Sequence, residues 1–184
     1  MDFTLIRAKR KTLCIQVKNG EVIVKAPLRA SKKSILAFVD SHKDWIEKQK
    51  KKEEEEQKAA AALPALTQEE LSALTTAAKE YFPPVVRRYA ALMNEEYGKI
   101  TIRCQKSRWG SCSTKKNLSF NCLLMLTPEE VRESVAVHEL CHLKEMNHSR
   151  RFYEEVYRFC PEYDRLNRWL KENGPLLIKR VYPQ

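Results

Sequence analysis

Apolar and polar positions alternate along Leu13, Ile15 and Val17, and again at Val22 and Val24 beyond Asn19-Gly20. A period of two places those apolar residues on one face of a strand, and Asn-Gly suits a tight type I′ turn. Residues 11–27 therefore predict a β-hairpin, ended by Pro27. The period then changes. From about Ser31, Ile35, Phe38, Val39, His42, Trp45 and Ile46 recur at helical spacing, with His42 packed in the apolar stripe. From Lys48 the chain is a low-complexity run of Lys, Glu, Gln and Ala whose opposite charges pair at i, i+4. It reads as a helical extension or semi-rigid spacer ending near Leu63-Pro64.

Thr67-Gln68-Glu69-Glu70 is a capping box opening a helix with Leu71, Leu74, Ala78 and Phe82 on one face. Pro83-Pro84 is expected to break or kink it. Helical spacing resumes through Val86, Tyr89, Leu92, Met93 and Tyr97, and Gly98 is the expected stop. Ile100 and Ile102 mark a strand over 99–103, and the apolar run from Leu118 to Leu126 predicts another. Thr127, Pro128 and Glu130 form a second helix start. Farther on, Phe152, Val156 and Phe159 give a helix face ending at Pro161, and Leu166, Trp169 and Leu170 give one stopped by Asn173-Gly174-Pro175. Residues 176–184 read equally as a strand or a surface tail.

These elements predict an α+β protein. A β-hairpin and helix occupy 1–52, a charged, alanine-rich spacer 53–66, and a larger domain 67–184. In that domain a small antiparallel sheet lies beside the helix that starts at Thr127. No apolar run approaches the ~20 residues that span a bilayer, and the first residues carry no apolar leader core. A cytoplasmic protein with no membrane partner is the expectation; the oligomeric state is not readable.

Charge changes the picture for the first part of the chain. Of a net charge of +10, residues 1–52 carry 14 Lys or Arg against 5 Asp or Glu. That excess suits an acidic partner such as nucleic acid, or simply a lysine-rich solvated face. The six cysteines include no C-x-x-C pair, which argues against a zinc ribbon and for free thiols. Cys141 reads as a small buried hydrophobe, and Cys112 as the one thiol placed to supply an extra ligand.

The chemistry concentrates in the helix that follows Thr127. Three of the four histidines, His138, His142 and His148, fall within eleven residues. His138 and His142 are four apart, so both imidazoles leave one helix face and can reach one ion. Glu139 is rotated off that face and can address a water on the metal without ligating it, the arrangement of the H-E-x-x-H motif. His148, six residues past His142, is the natural third ligand of a catalytic Zn²⁺ site with one open position. One zinc ion per chain is the expected cofactor, although three imidazoles also accept iron or nickel.

Ser107-Arg108-Trp109-Gly110-Ser111-Cys112-Ser113, Asn121, the His138–His142 motif and Asn147-His148-Ser149-Arg150-Arg151-Phe152 together resemble the YgjP-like metallopeptidase family. That family is similar to the SprT and WLM zincins, which also place a third histidine shortly after the helix. The resemblance implies a zincin-like catalytic domain acting on peptide or protein substrates, with Glu139 catalytic. In such an architecture a sheet edge accepts extended substrate, and Arg108, Trp109, Gly110 and Ser111 are the candidate substrate-binding residues. Trp109 either walls a pocket or fills the core, and Gly110 either allows close approach or marks a bulge. Asn121, Glu145 and Glu154 are candidates for orienting the imidazoles, and Tyr153 and Arg151 for stabilising a transition state.

Two rival readings keep the same residues. A metal-dependent nucleotide phosphoanhydride hydrolase would use Lys106, Arg108, Lys115, Lys116, Arg150 and Arg151, but no glycine-rich phosphate loop is present. A nucleic-acid-associated binding or protein-processing role would use the basic first part, which lacks a zinc-finger, homeodomain or RRM signature.

Overall fold

Alternation over residues 13–26 becomes sheet because one face of it meets a helix. β2 (Cys14–Lys18) and β3 (Glu21–Pro27) pair antiparallel, with Val17 opposite Val22. Gly20 closes the turn at φ +76°, a left-handed conformation that glycine adopts without a Cβ clash. Asn19 lies outside the described residues, which in this computed structural model are 2–18 and 20–181. β1 (Thr4–Ala8) joins β3 in parallel on its other side, giving the order β1-β3-β2. Its five residues are all exposed and show no clean alternation, so periodicity gave no sign of it. Arg7 secures the strand by donating from Nη1 to the carbonyls of Pro27, Leu28 and Ala30 at 3.2, 2.9 and 2.9 Å.

The single helix expected after Ser31 is two. α1 (Lys32–Asp40) ends at Ser41, and α2 (Lys43–Ala61) begins two residues later. At the break, His42 Nδ1 lies 2.8 Å from the Phe38 carbonyl and 3.0 Å from Ser41 Oγ, local bonds that compete with the helix ladder. Ile35, Val39 and Ile46 still pack on Val22, Val24 and Ala26, but Trp45 is exposed. The charged run continues α2 without interruption, with Lys58 paired to Glu54 at 2.7 Å. These elements form one of two compact units, Met1–Ala62; the other is Leu63–Gln184.

In the second unit α3 (Gln68–Met93) opens on the expected box. Thr67 Oγ1 accepts from Glu70 N–H at 3.1 Å, and Glu70 accepts from Thr67 N–H at 2.7 Å. The helix continues unbroken past Pro83 and Pro84. Their missing N–H groups release the carbonyls of Lys79 and Glu80, both exposed residues that water can satisfy, while Phe82, Val85 and Val86 anchor the other face in the core. The stop is Asn94, at φ 53° and ψ 47°, rather than Gly98.

The sheet is mixed rather than antiparallel, in the order β4-β6-β5. β4 (Ile100–Arg103) runs parallel to β6 (Leu118–Asn121), and β5 (Gly110–Cys112) antiparallel to it. The apolar run after Leu118 is strand only as far as Asn121; Cys122–Leu126 winds into a 3₁₀ helix, with Asn121 Oδ1 accepting from Leu123 N–H. Phe120 stacks on Phe82 at 4.4 Å, joining sheet to α3.

α4 (Glu129–Cys141) follows. Thr127 does not cap it: its hydroxyl donates to Leu124 and closes the 3₁₀ turn instead. Arg88 and Tyr89 on α3 both donate to Glu133 on α4, at 2.6 and 2.8 Å, and Val131, Ala136, Val137 and Leu140 bury the rest of the contact. α5 (Arg150–Phe159) is capped by Ser149, and α6 (Tyr163–Lys179) runs past Asn173-Gly174-Pro175. There too the released carbonyl belongs to an exposed residue, Lys171. Residues 176–179 are therefore helix, and 182–184 lie outside the described residues. Among the described residues no helix is long and apolar enough to cross a membrane.

Candidate metal centre

α4 presents His138 and His142 from one face, with ring centroids 4.9 Å apart. The helix ends at Cys141, and His142 is its C-terminal cap. That ending matters. The N–H groups of Lys144 and Glu145 turn back to the Cys141 carbonyl, and the turn brings the Glu145 carbonyl to 3.0 Å from His142 Nδ1. A carbonyl only accepts, so Nδ1 carries the proton and Nε2 is left with its lone pair free. The chain then reverses and returns His148, whose Nε2 lies 3.1 Å from Nε2 of His138.

One nitrogen from each imidazole lies within 4.8 Å of the others. Two nitrogens bound at 2.0–2.1 Å to a tetrahedral ion are about 3.3 Å apart, close to the separation of His138 and His148. Burial and the neighbouring imidazoles hold His138 down to about 3, and burial lowers His142 as well, so these two rings are neutral donors at ordinary pH. Three converging imidazoles, with His138 and His142 kept neutral and the His142 tautomer fixed by the Glu145 carbonyl, fit a divalent ion such as zinc.

What holds the rings was only partly visible in the sequence. Phe152, fully buried on α5, lies 4.9, 4.5 and 4.9 Å from the rings of His138, His142 and His148. It is a common floor for all three. Tyr163, at the start of α6, sets its hydroxyl 2.7 Å from His138 Nδ1. Sequence reasoning missed this tyrosine, since nothing in its local pattern distinguishes it from a helix-face residue 25 positions downstream. Of the three orienting candidates, Glu145 acts through its carbonyl rather than its carboxylate. Glu154 pairs with Arg150 at 2.8 Å, and Asn121 holds a loop instead.

Glu139 is buried behind the imidazoles, in a cavity of about 210 Å³ that Arg108, Trp109 and Gly110 also line. Burial raises its carboxyl to about 8, against the lowering pull of Arg108. Gly110 is there because nothing larger fits: a Cβ would stand 2.6 Å from Glu139 Cγ and Oε1. Close approach, not a bulge, is its role. Trp109 serves both of its readings. It lines the cavity on one side and packs on Gly174 of α6 on the other, where a Cβ would meet its Cζ2 at 2.7 Å. That contact explains the glycine mistaken for a helix stop.

The remaining candidates separate from the centre. Ser111 lies on β5 opposite Ser119 and is not part of the Glu139 cavity wall. The Cys112 thiol is pushed up to about 11, chiefly by burial, and stands outside the histidine cluster. Cys141 is buried, its thiol pushed up to about 12. Lys116 pairs with Glu95 at 3.5 Å, and Tyr153 sits 6.3 Å from the His148 ring.

The YgjP-like, metallopeptidase domain family matches the chain over residues 11–73 and 60–173. Two solved structures resemble it in part. The metallopeptidase zymogen abylysin of Pyrococcus abyssi is 22% identical, covering 50% of this chain and 93% of that one with a TM-score of 0.45. The metallopeptidase zymogen jannalysin of Methanocaldococcus jannaschii is 25% identical, covering 50% and 96%, with a TM-score of 0.46. No curated relative matches the chain.

Proposed function

Because the chain belongs to the YgjP-like metallopeptidase family, we propose that it is a zinc-dependent peptidase. His138, His142 and His148 hold one ion, and Glu139 is the general base for water attacking a peptide carbonyl. The observation that carries this reading is the convergence of three imidazole nitrogens within 4.8 Å, beside a buried carboxyl. When bound, zinc supplies Lewis acidity that polarises the scissile carbonyl and lowers the pKa of water toward ~7.

The chain's own groups do the rest. Glu139 follows His138 directly, so its side chain leaves α4 about 100° away from the ligand face and enters the cavity. There a carboxylate oxygen takes the proton of the attacking water and later delivers it to the leaving nitrogen. Burial that raises its proton affinity toward neutral pH makes it suited to both transfers. The Glu145 carbonyl and the Tyr163 hydroxyl fix two of the rings, and Phe152 excludes water beneath all three. His148 is exposed, so the cluster is open to a polypeptide arriving from solvent.

Metal analysis and digestion of an unstructured protein test this together. Wild type should carry one zinc per chain, and His148→Ala should lose most of it. Glu139→Gln should keep the zinc and cut turnover by roughly 10²–10⁴-fold. Full turnover by Glu139→Gln would remove the mechanism.

A further inference from the structure

The cavity beside Glu139 is larger than a water site and is unevenly furnished. Trp109, Val135 and Leu170 give it apolar walls, while Arg108, Ser134 and Asn167 contribute polar groups beside those of His138, Glu139 and Tyr163. Its volume of about 210 Å³ suits one amino-acid side chain rather than a length of chain.

Arg108 is held there by a built wall. Asn121, almost fully buried at the end of β6, donates from Nδ2 to the carbonyls of Gln105 and Arg108 at 2.8 and 2.9 Å. Its backbone N–H donates to the Trp109 carbonyl at 2.8 Å. One asparagine therefore fixes the backbone on both sides of Arg108. Among the described residues the guanidinium itself forms no hydrogen bond and no ion pair. Arg108 is an exposed residue at this cavity, where its charge also acts on Glu139, and a guanidinium so placed with its fork free of hydrogen bonds is fitted to receive a carboxylate in bidentate fashion.

The cavity's position says which part of a substrate enters it. Glu139 lines it, and Glu139 must reach the nitrogen of the departing fragment, so that fragment's first residue occupies the cavity. We propose that this is the leaving-side subsite and that Arg108 selects substrates bearing a carboxylate there. The carboxylate is either an acidic side chain or the free C-terminus of the peptide. The assignment rests on the peptidase reading of the same site.

The test separates binding from turnover by using zinc-loaded Glu139→Gln as a trap. Four peptides differ only at the leaving-side residue, Glu or Gln in the side chain and free acid or amide at the terminus. Calorimetry should show the carboxylate-bearing peptides binding roughly 10- to 100-fold more tightly than the doubly neutral one. The favoured member identifies side chain or terminus as the source. Adding Arg108→Gln to the trap should erase the preference, and Arg108→Lys should restore part of it, with zinc content equal to the parent's as the control for folding. Equal affinity for all four peptides, or a preference that survives Arg108→Gln, overturns the proposal. Preferential binding without cleavage by wild type would leave the carboxylate subsite standing and remove the peptidase reading, so the two failures are distinguishable.

Discussion

Glu139 is buried where ionisation is disfavoured, and the cost to stability is measurable. In the metal-free protein its carboxyl titrates at about 8, against an ordinary value of 4.5, because burial disfavours the charged form. Below pH 4.5 the group is protonated in both folded and unfolded chains, so it contributes no difference. As pH rises from there the unfolded chain gives up its proton first, and folding is progressively opposed until the folded carboxyl also ionises. The full interval corresponds to a ceiling of about 5 kcal/mol above pH 8. Water penetration and relaxation reduce it, and about 2–3 kcal/mol is the expected effect. Glutamine cannot ionise and has nearly the same shape beside Gly110, so Glu139→Gln should remove that penalty. Thermal unfolding in chelator, followed by circular dichroism between pH 4 and 9, should give superimposable midpoints near pH 4. The variant should unfold roughly 5–10 °C higher near pH 8.5. His138, held down to about 3, destabilises both proteins alike as pH falls below its ordinary 6.5, and cancels in the comparison. Zinc should shrink the gap, since a cation beside the carboxylate favours ionisation. A midpoint difference that is constant across pH, or a variant less stable than wild type near pH 8.5, would refute the reasoning.

Other substitutions probe the supports of the site. Gly110→Ala places a Cβ 2.6 Å from Glu139 Cγ and should lower peptide turnover by roughly 10²-fold through misplacement of the base, with zinc content unchanged by metal analysis. Tyr163→Phe removes the hydroxyl 2.7 Å from His138 Nδ1 and should weaken zinc binding roughly 10- to 100-fold in a chelator competition. Phe152→Ala empties the floor under three imidazoles and should cost about 3–5 kcal/mol in denaturant unfolding, with zinc affinity falling in parallel. Asn121→Ala frees the loop on both sides of Arg108 and should raise KM more than it lowers zinc content.

Much of the candidate site was legible because its three histidines are neighbours in the chain. The spacing of His138 and His142 fixes their common helix face whatever surrounds it, and His148 follows within a turn and a loop. The Thr67 capping box and the β2–β3 hairpin are equally local, and both are present. Local rules misjudged elements whose outcome depended on the far side. Pro83-Pro84 read as a break or kink and Asn173-Gly174-Pro175 as a stop, yet both helices continue, because the carbonyls the prolines release belong to the exposed residues Lys79, Glu80 and Lys171, where water substitutes for the lost donor. Thr127 looked like a cap, but the preceding run folded into a 3₁₀ turn and took its hydroxyl. β1 escaped notice because an exposed strand carries no two-residue period.

The amino-acid sequence alone thus determined that His138 and His142 lie together, since a helix of 3.6 residues per turn decides which side chains share a face. Only tertiary packing could decide what surrounds those donors: Tyr163 behind His138, Gly110 against Glu139, and Asn121 holding Arg108 to the cavity. Each of these contacts joins residues 13 or more positions apart, from different elements. No local period encodes them, because they exist only once the apolar faces of α3, α4, α6 and the sheet have been buried against one another.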